Sequence, residues 1–244
     1  MPLSIYPLKL GELDVDYSFV AFQYRPGTTV TIPVTAWLIL GVDKPILVDS
    51  GFRDLRALTS QGFIARQPAE QTLEAQLAHH QLHPSDIGYL IHTHLHVDHC
   101  GYDDHFPNAK ILVQRAELQY AAAPIWPTGQ YDRIDIAKLI DPLWSQIELL
   151  DGESELFPGI RTVHTGGHSP AHQVLYVEVP SGTAIIAGDA AYIASINVKL
   201  QVPAGYWINI ADEMAALRRL AQEGKHILPS HDPEVYERYP HGIL

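Results

Sequence analysis

The sequence is poor in the features that mark several classes of protein. It has one cysteine, Cys100, so no internal disulfide can form, and a disulfide-rich secreted scaffold is excluded. No apolar run approaches the roughly 20 residues needed to cross a bilayer. Residues 1–17 contain neither a basic leader nor an apolar stretch of signal-peptide length. We therefore expect a cytoplasmic protein that does not associate with a membrane.

Positive charge is also scarce. Lys and Arg together number 16, against 28 Asp and Glu, and the formal net charge is −12. This balance repels nucleic acids and anionic lipid surfaces, so no nucleic-acid partner is expected. With 244 residues, of which 46% are hydrophobic, the chain is long enough to bury one sizeable core. We expect a single domain spanning residues 1–244.

Short apolar runs alternate with helix-like segments along the chain. Period-2 or continuous apolar runs predict strands at 29–40, 46–51, 86–93, 109–114, 159–165, 172–180 and 183–189, and a last strand and loop at 226–233. Helical spacing predicts helices at 69–82, 115–123 and 209–223, the last with Asn209 as N-cap and Gly224 as its end. The Pro- and Trp-rich stretch 124–144 is expected to be irregular. Sheets covered by helices are the predicted architecture.

Histidine is abundant, at 14 residues, and several of these residues are grouped. His94, His96, Asp98 and His99 lie within six residues, directly after a predicted strand. Alternate residues of an extended segment point the same way, so His94 and His96 can face one metal ion while Asp98 and His99 face a second. A histidine-rich surface loop is the alternative, but four ligand-type residues at this spacing favour a metal site.

Three further candidate ligands are predicted downstream. His168, Asp189 and His231 each follow an apolar run and stand beside Gly, Pro or Ser, where a chain turns and a side chain can face a cleft. The combined set of five histidines and two aspartates would satisfy two divalent cations with one bridging carboxylate. His172 and Asp49 are predicted to orient ligands rather than to bind metal, because ligating groups need hydrogen-bond partners.

The HxHxDH string at 94–99, followed by GHSP, GD and a late histidine, resembles the metallo-β-lactamase superfamily over residues 30–235. The resemblance implies an α/β (α+β) fold, the four-layer αβ/βα sandwich, with a dinuclear metal site at one edge of two facing sheets. It also implies a division of the ligands, with His94, His96 and His168 on one metal, Asp98, His99 and His231 on the other, and Asp189 between them.

Within the superfamily, residues 111–121, 164–178 and 189–192 are similar to the N-acyl-homoserine lactonases and to 4-pyridoxolactonase. In the lactonases a tyrosine three residues after the bridging aspartate lies over the metal pair, and Tyr192 stands at that position. The lactonases often carry two glycines after the ligand string, where this chain has Cys100-Gly101-Tyr102. This part of the pocket is therefore expected to differ in shape from theirs.

Other branches of the superfamily fit the sequence less well. A dedicated β-lactamase usually has cysteine at the position of Asp189, and a tRNA-processing nuclease needs a basic surface. A glyoxalase II carries a helical carboxyl-terminal domain, whereas 13 residues follow His231 here. A flavo-diiron oxidoreductase needs a flavin domain, for which the chain has no room. Among the branches considered, a small-molecule hydrolase is the one that the sequence still fits.

The resemblance implies that the protein opens lactone rings, most of all those of N-acyl-homoserine lactones. Two divalent cations, zinc by default with cobalt, manganese or iron as alternatives, would lower the pKa of a shared water, and the hydroxide would attack the carbonyl. Tyr192 is expected to stabilise the oxyanion, and Asp98 to protonate the leaving alkoxide. Another cyclic ester such as 4-pyridoxolactone, and a metal-binding protein without catalysis, remain as alternatives.

An acyl chain would need an apolar pocket, and several aromatic residues lie in segments that can form its walls. The candidates are Phe106, which closely follows the ligand string, and Phe19, Phe22, Phe63 and Trp126. The stretch 124–144 either caps the cleft or forms a contact in a homodimer, and the sequence leaves both open.

Overall fold

The computed structural model describes residues 2–125 and 130–244. The strands in these ranges are β1 (Ser4–Asp16), β2 (Thr29–Leu40), β3 (Ile46–Val48), β4 (Ile64–Arg66), β5 (Tyr89–Ile91), β6 (Lys110–Gln114), β7 (Ile147–Leu150), β8 (Ser154–Phe157), β9 (Ile160–His164), β10 (Gln173–Val179), β11 (Gly182–Gly188) and β12 (His226–Pro229). The α-helices are α1 (Tyr17–Val20), α2 (Leu55–Thr59), α3 (Leu73–His79), α4 (Arg115–Ala122), α5 (Arg133–Ile140), α6 (Ile210–Glu223) and α7 (Glu234–Arg238). A single π-helical turn spans Ala194–Val198.

The strands form two mixed sheets. One has seven strands in the order β4-β1-β2-β3-β5-β6-β7, and the other has five in the order β12-β11-β10-β9-β8. Strands β3, β5, β6 and β7 run parallel, as do β11 and β12. The carboxyl ends of parallel neighbours lie at one edge of a sheet, which is where ligand-binding loops gather in such folds. The ligand string at 94–99 follows β5, Asp189 follows β11 and His231 follows β12, whereas His168 lies between the antiparallel strands β9 and β10.

Alternating side chains divide the interior into three apolar cores. In β5, Leu90 packs in a core shared with α2 to α5, whereas the next residue, Ile91, packs in a core between the two sheets. In β10, Leu175 faces that same central core, whereas Val174 packs with Leu217 of α6 in a third. Successive strand residues point to opposite faces, so each sheet is buried on both sides. The resulting helix–sheet–sheet–helix order confirms the predicted αβ/βα sandwich.

Several predicted elements differ in extent from those observed. The amino-terminal strand β1, which pairs with β2 along nearly its whole length, was not predicted. The helix expected at 69–82 is confined to α3, because Thr72 has an extended backbone and caps the helix by accepting a hydrogen bond from Ala75 N. The stretch expected to be irregular contains α5, capped by Asp132. Helix α6 begins after Asn209 as predicted.

No helix among residues 2–125 and 130–244 is both long enough and apolar enough to cross a membrane.

Candidate metal centre

The first predicted ligand set comes together at the end of β5. His94 Nε2 lies 3.0 Å from His96 Nδ1, and His168 Nε2 lies 3.0 Å from the same nitrogen. All three side chains are buried. His94 and His96 are two residues apart, and their ring nitrogens converge, as the spacing predicted.

The second set lies beside the first. Asp98 Oδ1 is 3.7 Å from His99 Nε2, and Asp98 Oδ2 is 3.6 Å from His231 Nε2. His231 comes from the loop after β12, so this set joins the two sheets. The side chain of Asp98 remains 12% exposed, whereas those of His99 and His231 are buried.

Asp189, which directly follows β11, faces both sets. Its Oδ1 lies 3.2 Å from His99 Nε2 and 3.2 Å from His231 Nε2. Its Oδ2 lies 3.4 Å from His168 Nε2 and 4.0 Å from His94 Nε2. One carboxylate therefore presents one oxygen to each group of ligand atoms, which is the geometry that a bridging ligand requires.

The chemistry of these atoms fits divalent metal ions. His99 Nε2 and Asp189 Oδ1 are buried and make no hydrogen bond, although burying an unpaired polar atom costs free energy. Tetrahedral zinc with ligands at about 2.1 Å holds its ligand atoms about 3.4 Å apart, close to the separations found here. Burial, together with the neighbouring histidines, lowers the pKa values of His94 and His96 well below the usual value. These rings are therefore neutral and able to ligate.

Hydrogen bonds on the far side of each ring fix which nitrogen is left for a metal. His168 Nδ1 donates to the Tyr206 carbonyl at 3.2 Å, and His231 Nδ1 donates to the Pro33 carbonyl at 2.8 Å. A carbonyl only accepts, so Nε2 of each ring carries the lone pair that points into the centre. Such partners orient ligands and set their tautomers.

Asp49 orients His99 in the same way. His99 Nδ1 donates to Asp49 Oδ2 at 2.8 Å, and Thr93 donates to the same carboxylate from its backbone N and its hydroxyl, both at 2.8 Å. Burial opposes ionisation of Asp49, but His99 and His92 outweigh it and lower its pKa to about 2. Asp49 is therefore a carboxylate that orients the candidate ligand His99. On its far side, His92 Nε2 lies 2.8 Å from Asp103 Oδ2.

Tyr192 lies beside both ligand sets and is itself buried. Its ring centroid is 4.8 Å from that of His231 and 5.9 Å from that of His168. Burial and the charge of Asp189 raise the pKa of Tyr192 well above its usual value, so its hydroxyl is a donor. Asn197 Oδ1, in the π-helical turn, accepts from the backbone N of Tyr192 at 2.9 Å and holds this segment in place.

A narrow cavity leads from Tyr192 and Asp189 to two of the predicted pocket residues. Phe19 and Phe63 line it, with ring centroids 6.2 Å apart and nearly perpendicular planes at 88°. The same two rings and Gln130 also line a wider groove that opens to the surface. The two phenyl rings therefore supply apolar surface both beside the candidate metal centre and in the surface groove.

The other predicted pocket residues are placed differently. Phe106 has no exposed surface and packs in the core beneath the seven-stranded sheet, so the expectation that it lines the pocket is corrected. It follows the ligand string closely in sequence, but the turn Asp103–His105 directs the chain inward before it. Phe22 is 38% exposed and packs against Trp207 at 5.8 Å, outside the cavity. Trp126 lies outside the described residues.

Comparison with known proteins agrees with this geometry. Residues 30–232 match the family described as the metallo-β-lactamase superfamily, and the chain belongs to that superfamily. Among its relatives, an N-acyl homoserine lactonase from a Bacillus species is 30% identical over 96% of this chain and 91% of its own.

Solved structures of lactonases have the same fold. One is an N-acyl homoserine lactone hydrolase with the product N-hexanoyl-L-homoserine at its catalytic metal centre, with a TM-score of 0.85, 27% identity and complete coverage of both chains. Another, a variant of AiiA from Bacillus thuringiensis with N-decanoyl-L-homoserine in its active site, also has a TM-score of 0.85, 27% identity and complete coverage of both chains.

Proposed function

We propose that this protein opens the ring of N-acyl homoserine lactones at a dinuclear site, with Asp189 as the bridging ligand. The single observation that carries the proposal is the placement of Asp189, whose two oxygens face two separate groups of histidine nitrogens beside Tyr192. At the coarser level the protein is a metal-dependent lactone hydrolase, in keeping with its lactonase relatives and with the neighbour that holds a lactone-hydrolysis product.

The residues that would hold the metals are the two sets described above, with zinc as the first choice because nitrogen and carboxylate ligands at these separations suit it. When bound, a pair of divalent cations lowers the pKa of a shared water and polarises a carbonyl. His168 and His231 are fixed by their carbonyl partners, so the ligand nitrogens need little reorganisation on binding.

Tyr192 and Asp98 supply the remaining chemistry in this proposal. The Tyr192 hydroxyl, held protonated, donates to the lactone carbonyl oxygen as negative charge develops there. A water held at the centre would supply the oxygen that bonds to the carbonyl carbon, and the carboxylate of Asp98, at the exposed side of the centre, would take the proton that this water gives up. When the ring C–O bond breaks, Asp98 would pass that proton to the departing alkoxide. The product is the N-acyl homoserine.

The acyl chain is assigned to the surface groove that Phe19 and Phe63 line. Both rings also line the narrow cavity at the centre, so a chain attached to a lactone at the centre can pack its apolar surface against them. The hexanoyl and decanoyl products in the two solved neighbours carry chains of this kind.

The test is acid release from a panel of lactones by zinc- or cobalt-loaded protein. The panel contains N-acyl homoserine lactones of different chain length, 4-pyridoxolactone and simple γ- and δ-lactones, with metal content measured on the same sample. Turnover of the homoserine lactones, lost on chelation and restored by metal, is the expected result. Protein that holds two metals and prefers 4-pyridoxolactone, or hydrolyses no lactone, would overturn the substrate assignment.

A further inference from the structure

Glu117 is a buried acid that the proposed reaction does not use. It lies in α4 with 1% of its surface exposed, and its carboxylate accepts four hydrogen bonds. Oε1 accepts from Leu95 N at 3.2 Å and from the Tyr131 hydroxyl at 3.0 Å. Oε2 accepts from the Ser169 hydroxyl at 2.7 Å and from Ala171 N at 3.0 Å. Each oxygen therefore has two donors.

The donors come from three separate segments that surround the first ligand set. Leu95 stands between the two histidines of the HxH string, and Ser169 directly follows His168. Tyr131 packs its ring against His96, with centroids 4.8 Å apart at 71°. None of these four hydrogen bonds is to a candidate ligand side chain, yet they hold the backbone on both sides of this set.

Only a carboxylate suits these four donors. It offers acceptor lone pairs on both oxygens, whereas the amide of glutamine has one acceptor oxygen and presents N–H groups on its other arm. The amide nitrogen of glutamine would face two of these donors, either those of Leu95 and Tyr131 or those of Ser169 and Ala171. A donor facing a donor forms no hydrogen bond. A buried acid is tolerated when its hydrogen bonds are complete, and here they are.

We propose that Glu117 is a positioning residue that sets the separation between the HxH string and His168, and thereby the affinity and geometry of the metal site they form. This inference rests on the proposed metal site but not on the identity of the lactone. Replacing residues that support metal ligands typically weakens metal binding by about 10- to 100-fold.

The test is Co²⁺ binding to the full-length Glu117→Gln variant after chelation, followed by visible absorption. We expect at least one of the two Co²⁺ dissociation constants to rise by about 10-fold or more, and the absorption bands of bound Co²⁺ to shift. The matched control is Glu155→Gln, at an exposed position in β8, which should bind Co²⁺ as the wild type does. A lower midpoint of thermal unfolding with unchanged Co²⁺ affinity and spectrum would show a merely structural role and overturn the proposal.

Two milder variants keep the proposal testable if Glu117→Gln does not fold. Tyr131→Phe and Ser169→Ala each remove one hydroxyl donor and leave the carboxylate in place. Both should shift the Co²⁺ spectrum in the same direction as each other, and wild-type spectra and affinities in both would contradict the role assigned to Glu117. Because metal binding is the readout, a failure to hydrolyse lactones would count against the proposed function alone.

Discussion

The backbone N–H of Asp189 donates a hydrogen bond of 3.2 Å to Nε2 of His172. The other ring nitrogen of His172 lies 2.9 Å from the Thr165 hydroxyl, which itself donates to the His172 carbonyl. His172 is therefore a neutral ring with Nδ1 protonated, and it fixes the backbone that carries the Asp189 carboxylate. The preceding residue, Gly188, has φ +51°, and a Cβ there would lie 2.7 Å from His172 Nε2. This close approach requires glycine.

In protein freed of metal by a chelator, His172 makes the free energy of unfolding depend on pH. Burial, and next the charge of His168, lower the pKa of His172 from 6.5 to about 3. Unfolding therefore takes up a proton here below pH 6.5, so the stability that the neutral ring contributes is present above that value and is lost as the pH falls toward 3. Between pH 7 and pH 5 the loss amounts to about 2 kcal/mol.

This contribution can be measured by denaturant unfolding at pH 7 and pH 5. The wild type and His172→Gln are compared, both freed of metal by a chelator. The wild type should lose about 2 kcal/mol more than the variant on acidification, since the other titrating groups are common to both. Equal losses would show that His172 titrates alike in the folded and unfolded chains.

The Tyr192 hydroxyl is predicted to act in the chemical step. Tyr192→Phe should lower kcat by about 100-fold, the usual effect of removing one oxyanion donor, and leave both metals bound. Tyr24→Phe, at a residue that is 53% exposed, is the matched control. A variant with unchanged kcat would remove Tyr192 from the mechanism.

Phe63 is predicted to favour long acyl chains. Phe63→Ala should lower kcat/KM for a decanoyl substrate by about 10-fold and for a butanoyl substrate by less, because a longer chain buries more apolar surface against the ring. Phe22→Ala removes a phenyl ring that packs against Trp207 outside the cavity, and should leave the chain-length preference unchanged. An equal loss for both substrates in Phe63→Ala would argue against an acyl-chain contact.

The bridging role of Asp189 predicts linked loss of metal and activity. Asp189→Asn removes the charge shared between the two ligand sets, so metal content should fall below two ions per chain and turnover should fall with it. Asp43→Asn, at an exposed position, is the control. Two retained metals with full turnover would rule out the bridge.

Local sequence determined those features that depend on near neighbours in the chain. His94 and His96 are spaced so that their ring nitrogens meet, and Asn209 caps α6 by accepting hydrogen bonds from the backbone N of Ala211 and Asp212. Apolar patterning predicted eight of the strands in the described residues and missed β1, β4, β7 and β8. The family motif then predicted all seven candidate ligands, and the structure brings all seven side chains together.

Only the tertiary structure decided which other residues serve the site. The sequence made both Phe63 and Phe106 plausible as pocket residues. Phe63 lines the cavity, whereas Phe106 is fully buried in the core because distant strands and helices cover it. Glu117 looks like a solvent-facing helix residue, but two of its donors, Ser169 and Ala171, lie 52 and 54 residues away along the chain. Burial and hydrogen-bond partners of this kind arise when separate segments pack together, so the sequence determined the candidate ligands and the packing determined which residues orient them.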